Sequence, residues 1–223
     1  MFIDKSMTTN VVTIGEEASL TEAREKMEKN KIRHLPVVDG ENYLVGIVTD
    51  RDVRSALPSS FLTSEDYAKA HESFEKLKVK DIMARNVITL NETDTIQDAL
   101  LITQKIRVGA FPVVDRDGKL VGMLSVRDLL RAFINVLNIE EPGKLLGILA
   151  EDKQGQTKKI VDAITEEGIP FGSILVARRW DGGKRAVFTY LLSNNVTKVK
   201  KRLESLGFTL INPLDWSLDR RKP

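Results

Sequence analysis

The strongest constraint on the fold of this chain is an internal repeat. When the 223-residue sequence is shifted by 76 positions, residues 7–57 align with residues 83–133 without a gap, and 17 of the 51 aligned residues are identical. Unrelated segments do not keep one register over such a length. The sequence therefore predicts two copies of one folding unit, placed in tandem.

Each copy has the sequence pattern of a β-α-β-β-α unit. In the first copy, the β-branched segment 11–14 predicts a strand, and Ser19 starts a helix with the pattern of a capping box. Two further strands follow, and a second helix begins near Asp50 in the first copy and near Val126 in the second. The polar stretch 58–78 separates the two copies.

The last third of the chain has a different pattern, with the element order βαββαβ. Four short apolar runs alternate with two segments of helical periodicity, and 181–183 marks a hairpin turn. The predicted fold class is α+β, with two tandem β-α-β-β-α domains that form a pseudo-symmetric pair, followed by a ferredoxin-like sandwich. The predicted boundaries are 1–57 for the first domain, 58–78 for the linker, 79–136 for the second domain and 140–214 for the sandwich.

Composition excludes several classes of function. The chain has no cysteine, which excludes thiolate metal sites, thiol nucleophiles and disulfides, and its two histidines are too few for a multi-histidine metal site. The sequence has no Walker, G-x-S-x-G or metal-ligand motif, so we expect no catalytic residues, no metal and no required cofactor. Without a signal-peptide pattern or an apolar run of about 20 residues, we expect a cytoplasmic protein with no membrane span.

Three motifs occur in both copies: Met-x-x-Asn-Val-(Val/Ile)-Thr, (Leu/Phe)-Pro-Val-Val-Asp and Leu-Val-Gly-x-(Val/Leu)-(Thr/Ser)-x-Arg-Asp. With this combination, the first two-thirds of the chain resembles a pair of CBS domains, also called a Bateman module. The last third resembles an ACT domain, through its element order and the segment 151–155 that follows its first strand. The whole layout is similar to that of the acetoin utilization protein AcuB group.

The third motif carries the candidate ligand chemistry. It places Thr49 and Asp52 at the start of a helix in the first copy, and Ser125 and Asp128 at the same place in the second. One hypothesis is structural, because a hydroxyl residue followed three positions later by a carboxylate is also a capping box. The other is that backbone N–H groups attract a phosphate while the carboxylate binds the hydroxyls of a ribose. By the resemblance, the two carboxylates bind ribose and the two hydroxyls bind phosphate.

The resemblance implies further residues at the same two clefts. Thr13 and Thr89, at the ends of the first strands, lie where the family binds adenine, largely through the backbone. Several side chains lie where phosphates would bind, with an exposed or structurally satisfied role as the alternative for each: Arg33, His34, Arg51, Arg107 and Arg127. Gly109 stands opposite Arg33 in the repeat, which predicts clefts of different charge. In the last third, Asp152 and Gly155 are candidate ligand residues of the ACT-like domain.

The sequence thus indicates a regulatory protein rather than an enzyme. By the resemblance, the paired domains bind an adenine nucleotide (AMP, ADP or ATP) or S-adenosylmethionine and signal to a regulated protein, with a second small-molecule input at the ACT-like domain. The apolar strands 174–177 and 186–192 form a candidate flat face, from which we expect a homodimer. The alternative is a structural or RNA-binding module that uses Phe188 and Tyr190 of the sandwich, although a net charge of +2 makes nucleic acid an unfavourable partner.

Overall fold

A computed structural model describes residues 2–58, 63–106 and 108–212. The chain divides into two compact units, residues 1–130 and 131–223. The first unit contains both copies of the repeat up to the start of the last repeat helix, and the second contains the carboxy-terminal sheet.

The two copies fold into similar successions of elements, after a 3₁₀ turn at Ile3–Lys5. The first copy contains α1 (Leu20–Asn30), β1 (His34–Val38), β2 (Leu44–Thr49) and α2 (Asp50–Ala56). The segment between the copies adds α3 (Ser64–Lys76), and α4 (Val79–Ile82) follows it. The second copy contains β3 (Leu90–Asn91), α5 (Ile96–Lys105), β4 (Ala110–Val114), β5 (Leu120–Ser125) and α6 (Val126–Leu137).

The paired strands of the two copies match residue for residue. β1 pairs with β2 in antiparallel fashion with His34 opposite Thr49, and β4 pairs with β5 with Ala110 opposite Ser125. In each ladder the register shifts between the two adjacent valines of β1 or β4, which are equivalent in the repeat. The repeat in the sequence is therefore also a repeat of backbone geometry.

The strand predicted to open each copy is shorter than expected. Residues before Ile14 lie outside any strand, and Ile14 alone forms a parallel bridge to β1. Its N–H donates to Pro36 O, and its carbonyl accepts from Val38 N. The next bond of a parallel ladder would need an N–H on Pro36, which proline lacks. The prediction of a full strand at 11–14 is therefore wrong, and Pro112 stands at the equivalent position beside the two-residue strand β3.

The two copies exchange their amino-terminal segments. Residues 2–8 lie on the second copy and residues 78–84 on the first, through backbone bridges that repeat with the 76-residue offset: Phe2 with Thr95, Thr8 with Met123, Lys78 with Ser19, and Ala84 with Ile47. A further bridge joins Tyr43 to Lys119, which are themselves 76 positions apart. The copies are therefore related by a pseudo-two-fold axis, and this last bridge lies at the axis.

Glycines on the receiving strands allow the exchanged segments to approach closely. A Cβ on Gly46 of β2 would lie 2.7 Å from the sulfur of Met83, and a Cβ on Gly122 of β5 would overlap the sulfur of Met7. Neither glycine has a positive φ. Their shared role is therefore to leave space for a methionine of the other copy.

The carboxy-terminal unit is a four-stranded antiparallel sheet with two helices on one face. Its elements follow the predicted order: β6 (Lys144–Glu151), α7 (Gln156–Glu166), β7 (Phe171–Asp181), β8 (Lys184–Leu191), α8 (Thr197–Ser205) and β9 (Thr209–Ile211). The strands lie side by side in the order β7-β8-β6-β9. Ile148 and Leu191 of the two central strands share one core with Ile160 of α7 and Leu203 of α8.

We expect the substitution Ile3→Ala to destabilise the paired copies. The Ile3 side chain is fully buried, and its N–H donates to Asp94 O in the second copy. Truncating a buried isoleucine costs about 2–5 kcal/mol of unfolding free energy, which urea denaturation measures. Phe2→Ala is the matched control, because Phe2 is 60% exposed and its truncation should change that free energy by less than about 0.5 kcal/mol. Equal losses in both variants would contradict burial as the source of the effect.

Candidate functional site

The first candidate site is built around the amino terminus of α2. Thr49 ends β2, and its hydroxyl accepts a hydrogen bond from Asp52 N at 3.3 Å. In return, Asp52 Oδ2 accepts from Thr49 N at 2.8 Å and from the Thr49 hydroxyl at 2.6 Å. The carboxylate is therefore held at the end of the strand through one of its two oxygens.

The second candidate site repeats this arrangement at the start of α6. The Ser125 hydroxyl accepts from Asp128 N at 3.2 Å, while Asp128 Oδ2 accepts from Ser125 N at 2.9 Å and from the Ser125 hydroxyl at 2.6 Å. Both motifs thus form the hydrogen bonds of a capping box. Thr95 and Asp98 form the same box at the start of α5, so the box alone does not distinguish a ligand site from an ordinary helix start.

The backbone of the residue before β1 is hydrogen-bonded to the start of α2, and the backbone of the residue before β4 is hydrogen-bonded to the start of α6. Arg33 O accepts from the first N–H of α2 at 3.0 Å, and Gly109 O accepts from the first N–H of α6 at 3.1 Å. His34 comes next and lies directly opposite Thr49. The strand pairing therefore brings the backbone of Arg33 and His34 next to the helix end that carries Asp52.

Thr13 and Thr89 occupy equivalent, half-buried positions. Each directly precedes the residue that pairs with the neighbouring strand, Ile14 with β1 and Leu90 with β4. The carbonyl of Thr13 accepts a hydrogen bond from Lys26 Nζ at 3.2 Å. Both threonines therefore lie on the segment next to β1 or β4, on the side away from β2 or β5.

The basic side chains near these sites differ in exposure. His34 is half-buried; burial lowers the pKa of its imidazole below the usual 6.5, while the charge of Asp52 raises that pKa and the charge of Arg33 lowers it. Three of the predicted arginines have exposed side chains: Arg33, Arg51 and Arg127. Arg107, the fourth, lies outside the described residues.

In the carboxy-terminal unit, the two predicted ligand residues have structural roles. Asp152 forms an ion pair with the guanidinium of Arg185, and Gly155 caps the amino terminus of α7 with a φ of +84°. Neither lines the neighbouring cavity of about 250 Å³, whose polar side chains are Glu151, Gln156, Lys159, Lys184 and Thr209. Sequence reasoning missed these five residues, because they meet only when the ends of β6, α7, β8 and β9 assemble.

Phe188 and Tyr190 lie on the sheet face opposite the two helices, because they alternate with Val187 and Leu191 of the core. Phe188 packs edge-on against Trp180 with ring centroids 5.1 Å apart, and the Tyr190 hydroxyl donates to Glu141 O at 2.6 Å. Both aromatic side chains thus have partners within the unit, as core or interface residues do. The first strand, β6, contributes no aromatic side chain for base stacking.

Two further observations concern the described part of the chain. It contains no group of three or more histidine, aspartate or glutamate side chains that could hold a metal ion. It also contains no helix with the length and apolar character of a membrane span.

A family model matches both copies of the repeat. The CBS domain model matches residues 3–59 and 79–135, about half of the chain. A CBS domain-containing protein of Dictyostelium discoideum is 34% identical over 145 residues, which are 64% of this chain and 97% of that protein. The chain spans only 21–31% of the length of the inosine-5′-monophosphate dehydrogenases that it matches.

Solved CBS pairs share this fold over about 60% of the chain. CBSX2 of Arabidopsis thaliana, in complex with AMP, is 27% identical with a TM-score of 0.51, over 63% of this chain and 98% of that one. The CBS domain pair of protein MJ0100, in complex with 5′-methylthioadenosine and S-adenosyl-L-methionine, is 28% identical with a TM-score of 0.50, over 60% of this chain and 99% of that one.

We expect stability to fall as the pH drops below 6.5, because the lowered pKa of His34 means that the folded protein resists a proton that the unfolded chain accepts. The contribution of His34 to the unfolding free energy is therefore fully present above the pKa of the unfolded chain. It is lost as the pH falls from there to the pKa of the folded protein. In His34→Gln, which cannot titrate, this part of the pH dependence should disappear from thermal unfolding curves. His71→Gln, which changes the other histidine, should retain it; the same loss in both variants would contradict the assignment to His34.

Proposed function

The chain belongs to the CBS-domain family, and we propose that it is a regulatory protein, not an enzyme, whose CBS pair binds an adenosine ligand in two clefts. The ligand class comprises AMP, ADP, ATP and S-adenosylmethionine. Ligand binding would change the conformation that the pair presents to a regulated protein partner.

The observation that carries this proposal is the duplicated carboxylate site. Asp52 and Asp128 are held by the same three hydrogen bonds at the same position of two symmetry-related copies. Within the described residues, the hydrogen bonds of the Asp52 carboxylate all use Oδ2, which leaves Oδ1 as an acceptor for a ribose hydroxyl. The complexes of CBSX2 with AMP and of the MJ0100 pair with two adenosyl compounds support an adenosine ligand.

The remaining site residues take their proposed roles from their positions. Thr13 and Thr89 would contact adenine through the backbone, next to β1 and β4. Thr49 and Ser125 would contact phosphate at the helix starts. The arginines and the histidine near the clefts would contact phosphates: Arg33, His34, Arg51, Arg107 and Arg127. Charge-assisted hydrogen bonds of this kind are the strong ones in phosphate recognition.

We expect Asp52→Asn and Asp128→Asn each to weaken ligand binding at its own cleft about ten- to a hundredfold, the effect of losing a charge-assisted hydrogen bond. Calorimetric titration of AMP and S-adenosylmethionine into the full chain measures this. Asparagine keeps the capping oxygen, so the fold should be retained. Asp98→Asn is the matched control, because Asp98 forms the same capping box at the start of α5. If all three variants bind like the original chain, these carboxylates are caps only.

We further propose that the carboxy-terminal unit is an ACT-like domain, that the chain is a member of the AcuB group, and that the domains extend over 1–57, 79–136 and 140–214 with 58–78 as linker. The element order and the strand order β7-β8-β6-β9 of a split βαβ sandwich support the first of these. A second small-molecule input would enter near Asp152 and Gly155, beside the cavity lined by lysines.

The open face of the carboxy-terminal sheet supports a homodimer. Leu175 of β7 lies opposite Phe188 of β8, on the face away from the helices, and Leu175 and Leu145 are 45% and 61% exposed. An apolar face of this kind pairs readily with its own copy across a two-fold axis.

We expect light scattering to give twice the 25.0 kDa of one chain. Leu175→Glu places a charge on this face, so it should shift the protein towards monomer. Leu206→Glu is the control, because Leu206 is 51% exposed and lies at the end of α8, outside the sheet. A monomer mass for the original chain at micromolar concentration would contradict the dimer, and equal dissociation in both variants would contradict the face.

A further inference from the structure

We infer that residues 2–8 form a strap that opens from the second copy more readily than residues 78–84 open from the first, and that a ligand in the cleft at Asp128 closes this strap. The inference rests on the proposed function for its ligand, and it names the conformational change that the ligand would cause. The difference between the two exchanged segments does not depend on any ligand.

The two exchanged segments have the same backbone contacts. Thr8 and Met123 exchange two hydrogen bonds of 2.9 Å, and Ala84 and Ile47 exchange two hydrogen bonds of the same length. Each segment also buries one apolar side chain completely, at equivalent positions of the repeat: Ile3 and Val79. Backbone pairing and apolar burial therefore stabilise both segments in a similar way.

The two segments differ in their ion pairs. Glu17 accepts hydrogen bonds of 2.5 Å from Lys78 and from Lys80, and Glu16 forms an ion pair of 3.5 Å with the neighbouring Arg85. Among the side chains that the structure describes, no ion pair joins the strap to the second copy. The segment on the first copy thus has a charge network that the strap lacks.

The sequence explains this difference. Asp4 stands in the strap at the position of Lys80, and Glu92 stands in the second copy at the position of Glu16. Two acidic residues thus occupy the positions of an acid and a base. The uncharged Thr93 replaces the carboxylate that binds both lysines. Like charges repel, so we expect the strap to open more often than its counterpart.

The strap is attached to the strand that leads to the second cleft. β5 lies at the edge of the sheet β3-β4-β5, and the strap bridges to it at Met123, two residues before Ser125. The backbone and hydroxyl of Ser125 in turn bind Asp128. A ligand that requires this arrangement binds only the closed state, so it lowers the open population by the factor 1 + [L]/Kd. Ligand occupancy would thus decide whether the edge of β5 is covered.

Hydrogen exchange in the full chain tests the difference between the segments. The amides of Thr8 and Met123, the strap amides, report on opening of the strap, and those of Ala84 and Ile47, the reference amides, report on the equivalent segment. We expect about tenfold lower protection for the strap amides at low salt, because they lack the network. Sodium chloride at about 1 M should lower the protection of the reference amides only, since salt screens exposed ion pairs. Equal protection of both sets at low salt would overturn the inference.

Removal of the network should make the two segments alike. We expect Glu17→Gln to lower the protection of the reference amides about tenfold and to leave the strap amides unchanged. Glu28→Gln is the matched control, because the exposed Glu28 forms an ion pair with Arg24 within α1. The same loss of protection in both variants would contradict the role of the network.

Transfer of the network should close the strap. The combined substitution Phe2→Lys, Asp4→Lys and Thr93→Glu places the charges of the first copy at the equivalent positions of the second. We expect it to raise the protection of the strap amides and to leave the reference amides unchanged. Strap amides with unchanged protection would show that the missing ion pairs do not control the opening.

The link to the second cleft is tested with AMP and with S-adenosylmethionine. Each ligand is added to Asp52→Asn, which keeps the second cleft, and to Asp128→Asn, which keeps the first. At ten times the dissociation constant, we expect about tenfold higher protection of the strap amides in Asp52→Asn and no change in Asp128→Asn. If a ligand binds the original chain but affects the strap amides equally in both variants, or in neither, the link is wrong while the proposed function stands. If neither ligand binds the original chain, the proposed function itself fails.

Discussion

The pairing of the two copies depends on the exchange of their amino-terminal segments. Each segment fills space over a glycine of the other copy and forms backbone bridges there, so both candidate sites are built on a scaffold to which both copies contribute.

The exchange is symmetric in backbone but not in charge. Glu17 forms hydrogen bonds of 2.5 Å with Lys78 and Lys80, which lower the pKa of its carboxyl to about 2. Thr93, its counterpart in the second copy, carries no charge.

Much of this architecture could be predicted from the sequence, because the repeat keeps a single register. The two central strands of each copy, the helix starts at Asp50 and Val126, and the order of elements in the last third all follow the predicted pattern. The strand at 11–14 could not be predicted from its own residues. Its length depends on Pro36 of the neighbouring strand, and a pattern read along one segment does not include its hydrogen-bond partner.

One part of the candidate site could likewise be predicted from the sequence, and another part could not. The motif predicts correctly that Thr49 and Asp52 meet at a helix start, since three residues span the box. The contact between His34 and Gly109 could not be foreseen, because these residues are 75 positions apart in sequence and meet only through the pseudo-two-fold axis. The alignment does indicate the difference in charge, through Arg33 opposite Gly109. It does not indicate that the imidazole of one copy packs against the glycine of the other.

The exchanged segments have a consequence for any chain that carries only one copy. Such a chain would keep an amino-terminal segment whose receiving strand lies in a second molecule, because residues 2–8 bond to the second copy and not to their own. It could bury its counterpart of Ile3 only by associating with another chain. The tandem molecule is therefore equivalent to a dimer whose subunits have been joined covalently through residues 58–78. Covalent joining also permits what identical subunits cannot have, namely a histidine on one side of the axis and a glycine on the other.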